Sequence, residues 1–156
     1  MAYFDDWIAT ACSDLGGVDV VRLDRQQSIK IVEEVTLKYG RWRTYGDLIE
    51  RIYADCRIRE PDGWRKIADY DYAGDVLLFV EPTFARSVYK FESIKLLSEI
   101  LGECPDFNWY VVDECYDFLL AQGDHDMLVG AGKASAWVAR VGRDSGKSVR
   151  IFVAGI

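Results

Sequence analysis

The chain has 156 residues, half of them hydrophobic, with 5 Trp, 9 Tyr and 7 Phe, which is apolar surface enough for one packed domain and excludes a disordered segment. A formal net charge of −7 and a pI near 4.7 set it against a phosphate backbone, so the expectation is no nucleic acid and, if anything, a basic partner. No apolar run approaches the roughly 20 residues that a spanning helix needs, and the opening MAYFDDWIAT carries acids where a secretory signal carries positive charge, so a cytoplasmic protein off the membrane is expected.

Phe4, Trp7, Ile8, Ala11, Cys12 and Leu15 recur at helical spacing, and Gly16-Gly17 closes that helix. Val18 to Leu23 reads as a short strand or extended connection. Asp24 and Gln27 have the spacing of a capping box, ahead of a stripe of Ile29, Val32, Val35 and Tyr39 that ends at Gly40. Thr44 is placed to cap a third helix carrying Leu48, Ile49, Ile52, Tyr53 and Cys56. Residues 57 to 74 read as a long loop with one helical turn at Trp64 to Ala68. Val76 to Val80 is an apolar run of strand length, stopped by Glu81-Pro82, and Ser87 to Phe91 adds a short strand. Ile94, Leu97, Ile100 and Leu101 form a fourth helical stripe, ending near Gly102 and Pro105.

After Pro105 the period changes to that of strands. Phe107 to Val112, Tyr116 to Leu120, Met127 to Val129, Ala134 to Val141 and Ser148 to Ala154 read as consecutive strands with short turns. The predicted fold is α+β. Helices, over about residues 1–56, pack on one face of a mostly antiparallel meander sheet built from about residues 75–156. No internal repeat is present.

Few motifs carry chemistry. VGRDSGKS, residues 141 to 148, has the composition of a phosphate-binding loop, but only three residues separate Gly142 from Gly146 where four are needed, and strand-forming residues follow where a helix should begin. It reads as a hairpin turn, and nucleotide binding is not expected. Cys12, Cys56, Cys104 and Cys115 are scattered without a CxxC pair and read as buried thiols of a cytosolic chain, not a disulfide frame or a zinc site. His125 is the sole histidine, within QGDHD between two predicted strands. Cys115, its nearest cysteine, falls at the far end of that hairpin, which separates a nucleophile from its base. Three successive side chains seldom converge on one ion, so no metal and no cofactor is expected.

Charge is the stronger pattern. From Leu96 to Gly132 there is no Lys or Arg, while Glu99, Glu103, Asp106, Asp113, Glu114, Asp117, Asp124 and Asp126 fall in that span; Lys133, Arg140, Arg143, Lys147 and Arg150 then face only Asp144. Either these charges pair within the sheet or the acids form a binding rim. The rim expected is Asp106, Asp113, Glu114, Asp117, Asp124, His125 and Asp126, with Trp109 as an aromatic anchor.

Residues 109 to 132, WYVVDECYDFLLAQGDHDMLVGAG, resemble a small bacterial domain family without an assigned activity. Its pattern is Y-x-V, a polar turn, an aromatic before Leu-Leu, then His-Asp, an apolar run and Gly. Tyr110, Val112, Phe118, Leu119, Leu120, His125, Asp126, Leu128 and Gly130 carry the likeness. Members often have two adjacent histidines; here Asp124 precedes His125, which counts against a histidine-pair metal site. In general character the chain is also similar to bacterial immunity proteins, small acidic α+β proteins that neutralise a cognate toxin. The function expected is therefore a non-enzymatic protein-binding module, an immunity protein that occludes a basic toxin such as a nuclease. The alternatives are a small enzyme or ligand-binding domain using His125, or a regulatory or scaffolding domain.

Overall fold

A computed structural model describes residues 3–40, 46–52, 55–147 and 149–152, with Asp55, Asp124 and residues 150–152 described by backbone alone. Helix α1, Tyr3–Asp14, buries Phe4, Ile8, Ala11 and Cys12 along one stripe. It stops because Gly16 and Gly17 take φ of +90° and +84°, which lets the Gly17 and Val18 amides turn back onto the Cys12 carbonyl. Strand β1 is Val21–Arg22. Helix α2, Arg25–Tyr39, opens on the expected box: Asp24 Oδ1 accepts from the Gln27 amide at 2.8 Å, and Gln27 Oε1 accepts from the Asp24 amide at 3.2 Å. Its C-cap is Gly40, as the sequence predicts.

Helix α3 is only Leu48–Arg51, and β2, Asp55–Arg59, follows it. The third helix predicted through Cys56 is thus corrected to a short helix and a strand, and the start of the predicted loop belongs to that strand. Thr44 and Tyr53 lie outside the described residues. Leu48, Ile49, Ile52 and Cys56 fit a helical stripe, but Cys56 and Ile58 also fit a strand with one face buried, and the short run satisfies both periods. Helix α4, Gly63–Lys66, and a 3-10 turn, Ile67–Asp69, match the helical turn expected there.

Strands β3, Val76–Phe79, and β4, Tyr89–Phe91, and helix α5, Ile94–Glu103, fall where predicted. Ser93 caps α5, its Oγ accepting from the Leu96 amide at 3.1 Å. Strands β5, Trp109–Asp113, β6, Phe118–Gly123, and β7, Met127–Gly132, form the expected meander.

Residues 135–144 overturn another expectation: they form helix α6, Ser135–Asp144, not a strand. Ala134, Val138 and Gly142 recur at steps of four and are buried, which is helical spacing. Small residues decide it. A Cβ at Gly130 would stand 2.5 Å from Val138, and one at Gly142 would stand 2.7 Å from Ile58, so α6 lies directly on the sheet. The predicted hairpin at Arg143 to Gly146 is the end of α6, where Gly146 at φ +68° releases the chain. The helix therefore precedes the Gly-Lys pair instead of following it, the reverse of a phosphate loop. Strand β8, Val149–Phe152, ends the described chain and pairs with β2.

The strands stand in the order β1-β4-β3-β5-β6-β7-β2-β8, and every adjacent pair is antiparallel. The α+β class is as expected, but helices cover both faces. One core layer holds Phe4 and Ile8 of α1, Leu97 and Ile100 of α5 and Val138 of α6 against Val111, Phe118 and Leu120. The other holds Val35 of α2 and Leu48 and Ile49 of α3 against Tyr110, Val112 and Leu119. No helix among the described residues is long and apolar enough to cross a membrane.

Candidate functional site

The antiparallel register of β5, β6 and β7 divides the predicted rim between the two ends of the sheet. Strand β6 has six residues, so at about 3.3 Å each roughly 20 Å separates its ends. Asp113, Glu114 and Asp117 lie at its start; Asp106, His125 and Asp126 gather beyond its end, where Asp106, His125 and Asp126 line one cleft. The Asp124 backbone stands in the same turn, but its side chain lies outside the described residues.

At the first end the acids are internally occupied. Asp113 is only 3% exposed, and its Oδ1 accepts from the amides of Asp117 at 2.7 Å and Phe118 at 3.2 Å. That carboxylate holds the turn in which Tyr116 is forced to φ +58°. Glu114 pairs with Lys90 at 3.2 Å, and Asp117 with Lys133 at 3.6 Å. Hydrogen bonds to Glu114 and then Asp75 hold the Lys90 ammonium above its usual pKa. Asp113 is thus corrected from a binding residue to a turn-stabilising one. Trp109 is likewise corrected: at 3% exposure it belongs to the core beneath α5, not to a surface. A sheet covered on both faces leaves no spare aromatic face.

The second end is concave. Pro61, Asp106, Phe107, Asn108, Gln122 and His125 are among the residues lining a cleft of about 340 Å3. Its wall is a 3-10 turn, Asp124–Asp126, in which His125 and Asp126 take φ of +62° and +60°. Two successive non-glycine residues there cost about 1 kcal/mol or more each, less for aspartate, whose side chain bonds locally. The Asp126 carbonyl accepts from the Glu60 amide at 2.8 Å, which ties the turn to the end of β2. No ion pair forms to Asp106 or Asp126 among the described residues. His125 is exposed at the mouth, and Cys115 stands at the opposite end of β6, as the hairpin requires.

Behind the cleft lies a polar group of residues that the sequence did not single out. Gln122, 8% exposed, donates from Nε2 to the Glu60 carbonyl at 2.8 Å, while its Oε1 is buried without a partner among the described residues. Glu60 is buried and accepts from Lys147 Nζ at 2.8 Å and from the Asp62 amide at 3.1 Å. Burial pushes the Glu60 carboxyl up, but the hydrogen bonds from Lys147 and Asp62 outweigh it and hold the group below its ordinary range. One signal for Gln122 was available: Phe118 and Leu120 set the phase of the core face of β6, and Gln122 falls on that phase. Glu60 and Lys147 are far apart in sequence and carried no such mark.

Among the described residues no three His, Cys, Asp or Glu side chains are grouped to hold a metal ion. The four cysteines are free thiols; Cys12 and Cys56 are buried, but Cys115 is exposed, against the expectation of burial. Burial pushes the Cys104 thiol up to about 11, which suppresses its thiolate. No protein-family model, curated protein or solved structure matches the chain.

Proposed function

We propose that the chain is a non-enzymatic protein-binding module that acts as bacterial immunity proteins do, covering the basic substrate-binding surface of a cognate toxin of the nuclease kind. The observation that carries this reading is the asymmetry of the acids. Those at the Asp113 end hold a turn or pair with lysines, whereas Asp106 and Asp126 line an open cleft and form no ion pair among the described residues. Uncompensated charge at a concave rim steers an oppositely charged partner and adds little to the stability of the fold. A strained turn at the same place holds His125 outward in the approach path.

The test is inhibition and association with a purified basic nuclease domain encoded beside this gene. Asp106→Asn with Asp126→Asn should slow association roughly tenfold at low salt and flatten its salt dependence. Glu114→Gln with Asp117→Asn, at the neutralised end, should leave the rate unchanged. Equal effects from the two pairs would defeat the assignment of the rim. A second reading, a small ligand-binding or catalytic domain using His125, is favoured by one observation: the cleft volume lies in the range of small-molecule sites. Loss of an activity in a folded His125→Ala variant would select it.

A further inference from the structure

A second cleft, of about 580 Å3, opens at the same end of the sheet beside its β1 edge, where β1 pairs with β4. Three arginines from three separate segments line it: Arg22 from β1, Arg25 from the first turn of α2, and Arg86 from the loop before β4. Two aspartates line it as well, but both are engaged. Asp5 accepts from Arg22 Nη2 at 3.2 Å through Oδ2 and from the Tyr89 hydroxyl at 2.5 Å through Oδ1. Asp24 caps α2. Arg22 is also held by Ser87 Oγ at 3.1 Å. Arg25 and Arg86 have no hydrogen bond or ion pair among the described residues. On a chain of net charge −7, this cleft has its carboxylates satisfied and two of its three guanidiniums free.

The position of Arg25 strengthens the point. It stands in the first helical turn, where the helix dipole disfavours a cation, and no acid occupies that turn. Beside the cleft the surface turns aromatic: Phe84, in the loop that carries Arg86, is 46% exposed and stacks on Trp7 of α1 at 5.6 Å. Guanidinium next to exposed aromatic surface is the composition of residues that dominate protein interfaces.

We propose that this cleft is a carboxylate-binding site for an acidic segment of a protein partner, with Arg25 and Arg86 forking onto the carboxylate and Phe84 against an adjoining apolar side chain. Planar guanidinium matches carboxylate geometry in a two-bonded fork. A polyanion such as nucleic acid is disfavoured by Asp5 and Asp24 at the walls and by the overall charge. The site stands whether or not the acidic cleft receives a basic surface.

The experiment follows the arginine Nε–Hε and backbone amide resonances of the full chain by NMR. The probes are a blocked Glu-Leu-Glu peptide, its Gln-Leu-Gln counterpart and inorganic phosphate, each at low and high salt. The Glu peptide should give saturable shifts at Arg25, Arg86 and residues 84–87, with a Kd of about 1 mM or tighter at low salt, and the Gln peptide none. Arg25→Gln with Arg86→Gln should weaken binding at least about tenfold, and Phe84→Ser about threefold. Both changes are at exposed positions, and thermal unfolding of each variant confirms that it is folded. The proposal is overturned by shifts still linear at about 20 mM peptide, by equal shifts in the double arginine variant, or by phosphate binding as tightly as the peptide with no effect of Phe84→Ser.

Discussion

Gly63→Ala probes the packing behind the acidic cleft through a single methyl group. A Cβ built at Gly63 would stand 2.1 Å from Gln122 Oε1, 2.9 Å from its Cδ and 3.2 Å from its Nε2. Ordinary carbon–oxygen contacts are near 3.3 Å or longer, so the amide must move by about 1 Å. Gln122 Nε2 is 2.8 Å from the Glu60 carbonyl, and such a shift breaks that bond inside a buried site. The stranded polar groups cost about 1–3 kcal/mol, and overpacking a similar amount. The helix-propensity gain of alanine over glycine returns at most ~1 kcal/mol. The net expectation is a loss of roughly 2–4 kcal/mol, or a Tm lower by about 4–16 °C for a chain of this size. Urea unfolding of the two single variants Gly63→Ala and Gln122→Ala and of the double variant measures it. Alanine at position 122 makes room for the methyl, so the double variant should be more stable than the sum of the singles by at least ~1 kcal/mol. A neutral Gly63→Ala, or strict additivity with Gln122→Ala, would refute the reasoning.

Four further outcomes are expected. The Tyr110 hydroxyl donates to Glu81 and accepts from the Ile49 amide at 2.8 Å, so Tyr110→Phe should cost about 1–3 kcal/mol in chemical denaturation. Burial holds the Glu81 carboxyl above its ordinary 4.5, so the folded state keeps that proton more tightly than the unfolded state; stability from this group is full below 4.5 and falls as pH rises through the raised value, and Glu81→Gln should abolish that fall. Glu60 has the opposite sign: its lowered pKa contributes stability above 4.5 that is lost as pH falls through the folded value, and Lys147→Met should cost about 1–3 kcal/mol at neutral pH while flattening this acid limb. At the strained turn His125→Gly should be more stable than His125→Ala by about 1 kcal/mol in thermal unfolding, because only glycine takes φ +62° without strain.

Local signals in the sequence located what local forces decide. The capping box at Asp24 is legible because Asp24 and Gln27, three residues apart, satisfy each other's amides without help from the rest of the chain. The buried run Val76 to Val80 and the helix from Ile94 announce themselves by a period that only one element length satisfies. The polar hairpin end at QGDHD was also legible, since glycine and aspartate favour turns by their own chemistry. Where two periods fitted equally, packing chose. Residues 135–144 became a helix because Gly130 and Gly142 admit one against the sheet, and Cys56 went to a strand between β7 and β8. The candidate site divided for the same reason. The run of acids looks continuous along the chain, but antiparallel pairing sends alternate turns to opposite ends of the sheet.

The sequence by itself determined the α+β class, the polarity of charge and the turn at His125, each a property of composition or of neighbours along the chain. The tertiary structure alone decided which acids are free. Lys90 and Lys133 pair with Glu114 and Asp117 at one end, while Asp106 and Asp126 line an open cleft and form no ion pair among the described residues. It alone brought Glu60, Gln122 and Lys147 together, and alone gathered Arg22, Arg25 and Arg86. Those groupings join segments tens of residues apart, and only the order of strands and the close packing of helices against them set which side chains meet.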